Sequence, residues 1–316
     1  MSLANDALLR TMQSGREQFL TLVAKVRPEL HRYCARMTGS IADGEDVVQD
    51  SLASAYYELA EMKELPPLRP WLFRIAHNRA IDFLRRAGHQ KSESLDAAMD
   101  IAADAAFEPN AILSRGDDVR TAVSRFLGLP ATQRSCVILK DVLEYSLEEI
   151  ANMLELSVPS VKAALHRGRA RFRELSEAPE RETPRRVTSP ASIRYVELFN
   201  ARDWDGVRAM LIDDVKLDLV GRMKTTGRSV ASYFTNYDGT SDWHLVPGWL
   251  DGREAIVVFT NRSDTSPRYF IVLDFVGDRV AAIRDFRYVP YIDRDAVIEV
   301  AGGSQMAEPT GLTFPR

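Results

Sequence analysis

Apolar positions recur at helical spacing through the first part of this chain and at strand spacing through the last part. In "ADGEDVVQDSLASAYYELA", Val48, Leu52, Ala55, Tyr56 and Leu59 fall on one helical face. Asp43 is placed to cap the start, and Glu45 and Asp46 suit the positive end of the helix dipole. In "WLFRIAHNRAIDFLRR", Leu72, Phe73, Ala76, Ala80, Phe83 and Leu84 form the core-facing side of a second helix. Farther on, Leu147, Ile150, Ala151 and Leu154 mark a short helix opened by Ser146 and Glu149, an S-x-x-E capping box. After the connector Glu155-Leu156-Ser157 a further helix runs with Val161, Leu165 and Phe172 inward. Ser157 is placed to cap it, and Pro159 is tolerated in its first turn. From "SIRYVELFNARDWDGVRAML", an amphipathic helix, the period shortens. "DVKLDLVG", "EAIVVFTN", "RYFIVLDFV" and "VAAIRDFRYV" are short, β-branched or aromatic runs broken by Gly and Asp turns.

Two stretches lack any sustained apolar period, from about Gly88 to Gly116 and, with three prolines and dense charge, "SEAPERETPRRVTSP". The expected division is therefore a helical domain over 1–88, a linker over 89–115, a second helical domain over 116–176, a linker over 177–190, an α+β domain over 191–302 and a flexible tail over 303–316. The fold class is multidomain, two all-α domains followed by an α+β domain whose strands are expected to run antiparallel.

Length supports this division, since 316 residues exceed one typical core. No apolar run is long enough for a bilayer and no signal-peptide pattern stands at the start, so a cytoplasmic protein without membrane contact is expected. Cys34 and Cys136 have no metal spacing and read as buried small hydrophobes. No cofactor or metal is called for.

Charge patterning supplies the candidate chemistry. Glu45, Asp46, Gln49 and Asp50, with Asp43 before them, face away from the first apolar stripe. They form either a solvated surface or a docking face for a basic partner. On the next helix Trp71, Arg74, Asn78, Asp82 and Arg85 share a narrow stripe, with Arg79 and Arg86 beside it. Indole rings stack on unpaired bases, while Arg and Asn bond phosphates and base edges. The plainer alternative makes Trp71 a helix-start anchor and pairs Asp82 with Arg85 or Arg86. The pair of short helices joined by a tight turn, the second one basic, is a DNA-reading helix-turn-helix. Ser157, Ser160, Lys162 and His166 would approach base edges, and Arg167, Arg169 and Arg171 phosphates.

The stretches "DGEDVVQDSL", "WLFRIAHNRAIDFLRR" and "LPATQRSCVILKDVLEYSLEEIANMLELSVPSVKAALHRGRARFREL", in this order, resemble the extracytoplasmic-function (ECF) group of sigma-70-family initiation factors over residues 16 to 176. The resemblance implies that the acidic helix grips core RNA polymerase and that the segment around Trp71 melts the promoter −10 element. It implies that 116–176 reads the −35 element and that 89–115 threads toward the RNA exit channel. Promoter DNA and core RNA polymerase are then the partners, an anti-sigma factor is a candidate third, and no catalytic chemistry is required.

The remainder, from "IRYVELFNARDWDGVRAMLIDDVKLDLVGR", resembles the SnoaL-like family, a curved sheet wrapped around helices to form a cone. Enzymes of that family use a pocket Asp or His for proton transfer. Asp218, His244 and Asp285 are the weak catalytic candidates here, with Trp243, Trp249, Tyr233 and Phe286 as walls. The leading expectation is a sigma factor modulated by its fused tail, through docking or through a small-molecule ligand in the cone. The alternative is a SnoaL-type enzyme or sensor fused to a duplex-binding regulator.

Overall fold

The computed structural model describes residues 14–89, 125–177, 187–240, 243–292 and 298–301, residue 16 excepted and Val123 and Ala296 added. The expected linker over 89–115, apart from His89, most of that over 177–190 and the tail lie outside the described residues. The chain divides into two compact units, Met1–Pro179 and Glu180–Arg316.

The first unit is helical. After a helical stretch over 17–23 come α1 (Arg27–Thr38), α2 (Ile41–Glu61) and α3 (Leu68–His89). A 3-10 turn (Arg125–Gly128), α4 (Ala131–Val137) with a π turn (Ile138–Val142), α5 (Leu147–Leu154) and α6 (Val158–Glu177) complete it. Local chemistry sets the ends. Ser40 caps α2 by accepting from the Asp43 N–H, so Asp43 lies in the first turn rather than at the cap. Gly39, at φ 75°, provides the left-handed turn that ends α1.

The two helical blocks expected as separate domains contribute to one hydrophobic core. Leu30, Tyr33, Leu72 and Phe73 from the first block cluster with Phe126, Val137, Ile150 and Leu165 from the second. The tie is also polar. Arg134, buried on α4, donates to the carbonyl of Met37, to that of Leu129 at 2.8 Å and to that of Leu127 at 3.1 Å. Nothing in the periodicity marks Arg134, because its partners are backbone carbonyls from other elements.

Helices α4 and α6 pack closely at Gly168. A Cβ there would stand 2.8 Å from Val137 Cγ2 and 3.3 Å from the Gln133 carbonyl. Alanine is the better helix former by ~1 kcal/mol, yet forcing the two helices apart costs about 1–3 kcal/mol. Gly168→Ala is therefore expected to lower the unfolding midpoint of the first unit, read by fluorescence of Trp71, its one tryptophan.

The second unit opens with α7 (Pro190–Asn200) and α8 (Trp204–Ala209), then β1 (Leu211–Leu219), β2 (Met223–Thr226), α9 (Ala231–Asp238), β3 (His244–Leu250), β4 (Arg253–Phe259), β5 (Tyr269–Val276), β6 (Arg279–Asp285) and β7 (Ile298–Val300). The strands form one seven-stranded sheet in the order β2-β1-β6-β5-β4-β3-β7. Pairing is antiparallel except that β1 lies parallel to β6, which departs from the wholly antiparallel expectation. The physical reason is topological: β1 enters beside the last long strand rather than beside β3, and its direction follows from that position. Asp251 and Gly252, both at positive φ, turn β3 into β4. Tyr195, Phe199, Phe234 and Tyr237 from α7 and α9 pack with Leu245, Ile256, Val258 and Ile271 of the sheet. This is the helices-with-sheet layout expected of an α+β domain.

Candidate functional site

The helix-turn-helix forms as its sequence pattern requires. Ser146 accepts from the Glu149 N–H and the Glu149 carboxylate accepts from the Ser146 N–H, closing the capping box. Glu155, at φ 56°, makes the left-handed turn between α5 and α6. Ser157 accepts from the Ser160 N–H and so caps α6. Val161 and Leu165 are fully buried, whereas Ser157, Ser160, Lys162, His166, Arg167 and Arg171 are exposed. Arg171 pairs with Glu174 at 2.9 Å.

Arg169 has a different role. Its guanidinium bonds both carboxylate oxygens of Asp141, at 3.0 and 2.6 Å, and both side chains are nearly buried. The cation expected to meet a phosphate neutralises Asp141 inside the unit in this structure. Helical phase alone puts Arg169 near Arg167, but it points toward the α4 side.

On α3 the stripe divides in the same way. Trp71 is only 2% exposed, and its indole N–H donates to Glu58 at 3.1 Å. The indole expected to stack on bases is thus packed into the core of this structure, with its N–H held by α2. Arg74 is exposed and pairs with Glu155 at 3.3 Å, and Asp82 pairs with Arg85 at 3.4 Å. Arg79 donates to Ser54 and Arg86 to the Asp82 carbonyl. Asn78, Arg79, Arg85 and Arg86 remain exposed beside Arg74.

The acidic set on α2 also separates. Glu45, expected on the docking face, is fully buried against Arg27 in this structure. Asp43, Asp46 and Gln49 are half-buried, and Asp50 is exposed.

One polar cluster escaped sequence reasoning. His77 Nδ1 lies 2.8 Å from Tyr33 Oη and 3.1 Å from Ser135 Oγ, and those two oxygens are 3.0 Å apart. Burial holds the His77 imidazole below its ordinary value. The unfolded chain therefore takes the proton first as pH falls. The first unit is expected to keep this stability above pH ~6.5 and to lose it progressively below that value. Denaturant midpoints at about pH 7.5 and about pH 5.5, followed by Trp71 fluorescence, check the sign.

In the second unit Asp218 is tied to Lys224 across β1 and β2 at 3.0 Å, and half-buried His244 begins β3. Burial and the charge of Arg262 lower the His244 value. Asp285 alone of the three catalytic candidates enters a buried polar cluster. It is 1% exposed, and its Oδ2 accepts from Tyr233 and Tyr237, each at 2.9 Å. Its Oδ1 accepts from the Arg287 N–H at 2.9 Å. Tyr269 Oη lies 3.0 Å from Tyr237 Oη, and the Arg287 guanidinium sits over the Tyr237 ring, 4.7 Å from its centroid. Burial raises the Asp285 carboxyl, opposed by these hydrogen bonds and by Arg287. It also helps push Tyr269 up to about 12. No sequence spacing joins these residues, because they come from α9, β5 and β6.

The Sigma-70 region 2 profile matches residues 22–90, and that of Sigma-70, region 4 matches residues 124–172. The chain is similar to the ECF RNA polymerase sigma factor SigM of Mycobacterium tuberculosis, 30% identical over 54% of this chain and 84% of SigM. It is similar to SigW of Bacillus subtilis, another ECF RNA polymerase sigma factor, 29% identical over 51% of this chain and 90% of SigW. Similarity to the M. tuberculosis ECF factor SigG, 25% identical, extends over 89% of this chain and 86% of SigG, and so into the second unit. Among solved structures, the M. tuberculosis extracytoplasmic function sigma factor SigJ aligns over 87% of this chain and 98% of its own, at 17% identity and TM-score 0.34. The helix-turn-helix, the acidic and basic helices before it and the similarity to SigM converge: the chain belongs to the ECF RNA polymerase sigma factors.

Proposed function

We propose that the second unit modulates an initiation factor whose DNA-facing surface is the exposed part of α3 and α6. As a member of its family the chain binds core RNA polymerase and directs promoter-specific initiation, a task of recognition and strand opening without bond-making of its own. The observation that carries the modulating role is a second unit with its own core, in a chain whose similarity to an ECF factor continues past the helix-turn-helix.

In this reading Ser157, Ser160, Lys162 and His166 meet −35 base edges, and Arg167 and Arg171 meet phosphates. Arg74, Asn78, Arg79, Arg85 and Arg86 meet the −10 strand, and Asp43, Asp46, Gln49 and Asp50 meet polymerase. An anti-sigma factor is a further candidate partner. Among the described residues no helix is long and apolar enough to cross a membrane. The test compares the full chain with a chain ending at Pro179 in promoter-dependent transcription by core polymerase. Yields differing by ~5-fold or more are expected from a coupling of ordinary size. Equal yields across conditions would remove the modulating role.

A further inference from the structure

We propose that the outer face of α7 is a self-association surface, on which a second copy of this chain lays its own α7 antiparallel. The proposal stands apart from the modulating role, and its test does not involve transcription.

Helix α7 carries apolar residues on both of its sides. Ala191, Ser192, Tyr195, Val196 and Phe199 turn inward and are buried. The opposite side borders a groove of about 610 Å³ lined by Pro190, Ile193, Arg194, Glu197, Leu198 and Ala201. Ile193 is 41% exposed there, on the side where a surface helix ordinarily turns polar residues to water. Arg194 and Glu197 are exposed as well, and neither has an ion-pair partner among the described residues. Asp203, at the end of the groove, is already engaged: its carboxylate accepts from the Gly206 N–H at 2.8 Å. The groove therefore offers apolar surface around one unpaired cation and one unpaired anion.

The order of these residues selects the occupant. In an antiparallel helix pair whose two-fold axis passes between Tyr195 and Val196, residues equally far from that midpoint stand at the same level. Arg194 then meets the partner's Glu197, and Glu197 meets the partner's Arg194. One symmetry operation makes both ion pairs. Pro190 meets the partner's Ala201 in the same way, and these compact side chains let the helix axes approach to the usual distance of about 8–10 Å. Ile193 and Leu198 close the two flanks of the contact. A parallel copy would instead set Arg194 against the partner's Arg194, and a wholly acidic or wholly basic helix would leave one charge facing its like. At 1.5 Å per residue the 11-residue helix is only about 16 Å long. The contact is thus smaller than the ~800 Å² per partner of a standard complex, which makes the dimer weak, with Kd on the order of 10–100 μM.

The experiment is sedimentation equilibrium of the full chain from about 1 to about 300 μM. The wild-type chain is expected to pass from monomer to dimer across that range. Arg194→Glu alone and Glu197→Arg alone should each weaken dimerisation at least about tenfold, because each sets like charges against each other across the two-fold axis. An equimolar mixture of the two variants should associate again, at about the wild-type affinity or tighter. In that mixture a chain with two acids on the face meets a chain with two bases, and both pairs are restored. Recovery in the mixture also shows that neither variant lost its dimer by misfolding. A wild-type chain that stays monomeric to about 300 μM would overturn the proposal. Dimers that survive either single replacement would overturn it too, by placing the contact on another face. So would a mixture of the two variants that remains monomeric.

Discussion

Trp71→Ala is expected to unfold much of the first unit rather than only weaken promoter melting. The indole is almost wholly buried, and its N–H is satisfied by Glu58. Aromatic-to-alanine changes in a core cost about 3–5 kcal/mol, a large part of the stability of an ordinary domain. The measurement is thermal unfolding followed by the helical circular-dichroism band. Trp71→Phe, which keeps most of the apolar body and loses the N–H, should fall between wild type and alanine. If Trp71→Ala kept its midpoint and still failed to open promoter DNA, the indole would be a base-stacking group after all. Open-complex assays on this variant therefore need the melting curve beside them.

The second large effect concerns Arg169. Removing one partner from its buried, bidentate pair strands the Asp141 carboxylate, and breaking such pairs costs about 3–5 kcal/mol. Arg169→Ala is expected to lower the denaturant midpoint read from Trp71 fluorescence, with duplex affinity falling as a consequence of lost structure. The double replacement Arg169→Met, Asp141→Leu should recover most of the loss, because no buried charge is left unpaired. Exposed Arg167 supplies the contrast. Arg167→Ala should leave the midpoint in place, lower duplex affinity for all sequences and reduce its salt dependence.

These two residues show where sequence reasoning held and where it could not. The helix-turn-helix was legible because its determinants are local. Leu147, Ile150 and Leu154 follow the helix period, and Ser146 with Glu149 makes a cap within four residues. Trp71, Glu45 and Arg169 have chemistry suited to a surface site, and their helical phase is compatible with one. What buries them comes from elsewhere, Glu58 on α2, Arg27 at the start of α1 and Asp141 in the π turn. A one-helix projection contains no information about a neighbouring helix. The same limit applied to the sheet. Runs such as Tyr269–Leu273 identify strands, but the parallel placement of β1 beside β6 depends on the order in which strands join. The cluster around Asp285 is the extreme case, assembled from residues about fifty positions apart in the chain between Tyr233 and Arg287. Asp285 was picked out as an acid in a strand, and the tyrosines that define its environment were visible only as aromatic residues.

Initiation through a DNA-facing surface made of the exposed residues of α6 is the proposal on which the rest depends. The most direct measurement is a run-off transcription assay with core RNA polymerase and promoter DNA, comparing the full chain with its Lys162→Ala variant at matched folding. The expected result is a promoter-dependent transcript with the wild-type chain and, with Lys162→Ala, a changed order of preference among −35 sequences. No promoter-dependent transcript from a folded wild-type chain, or a loss with Lys162→Ala that is uniform across −35 sequences, would contradict it.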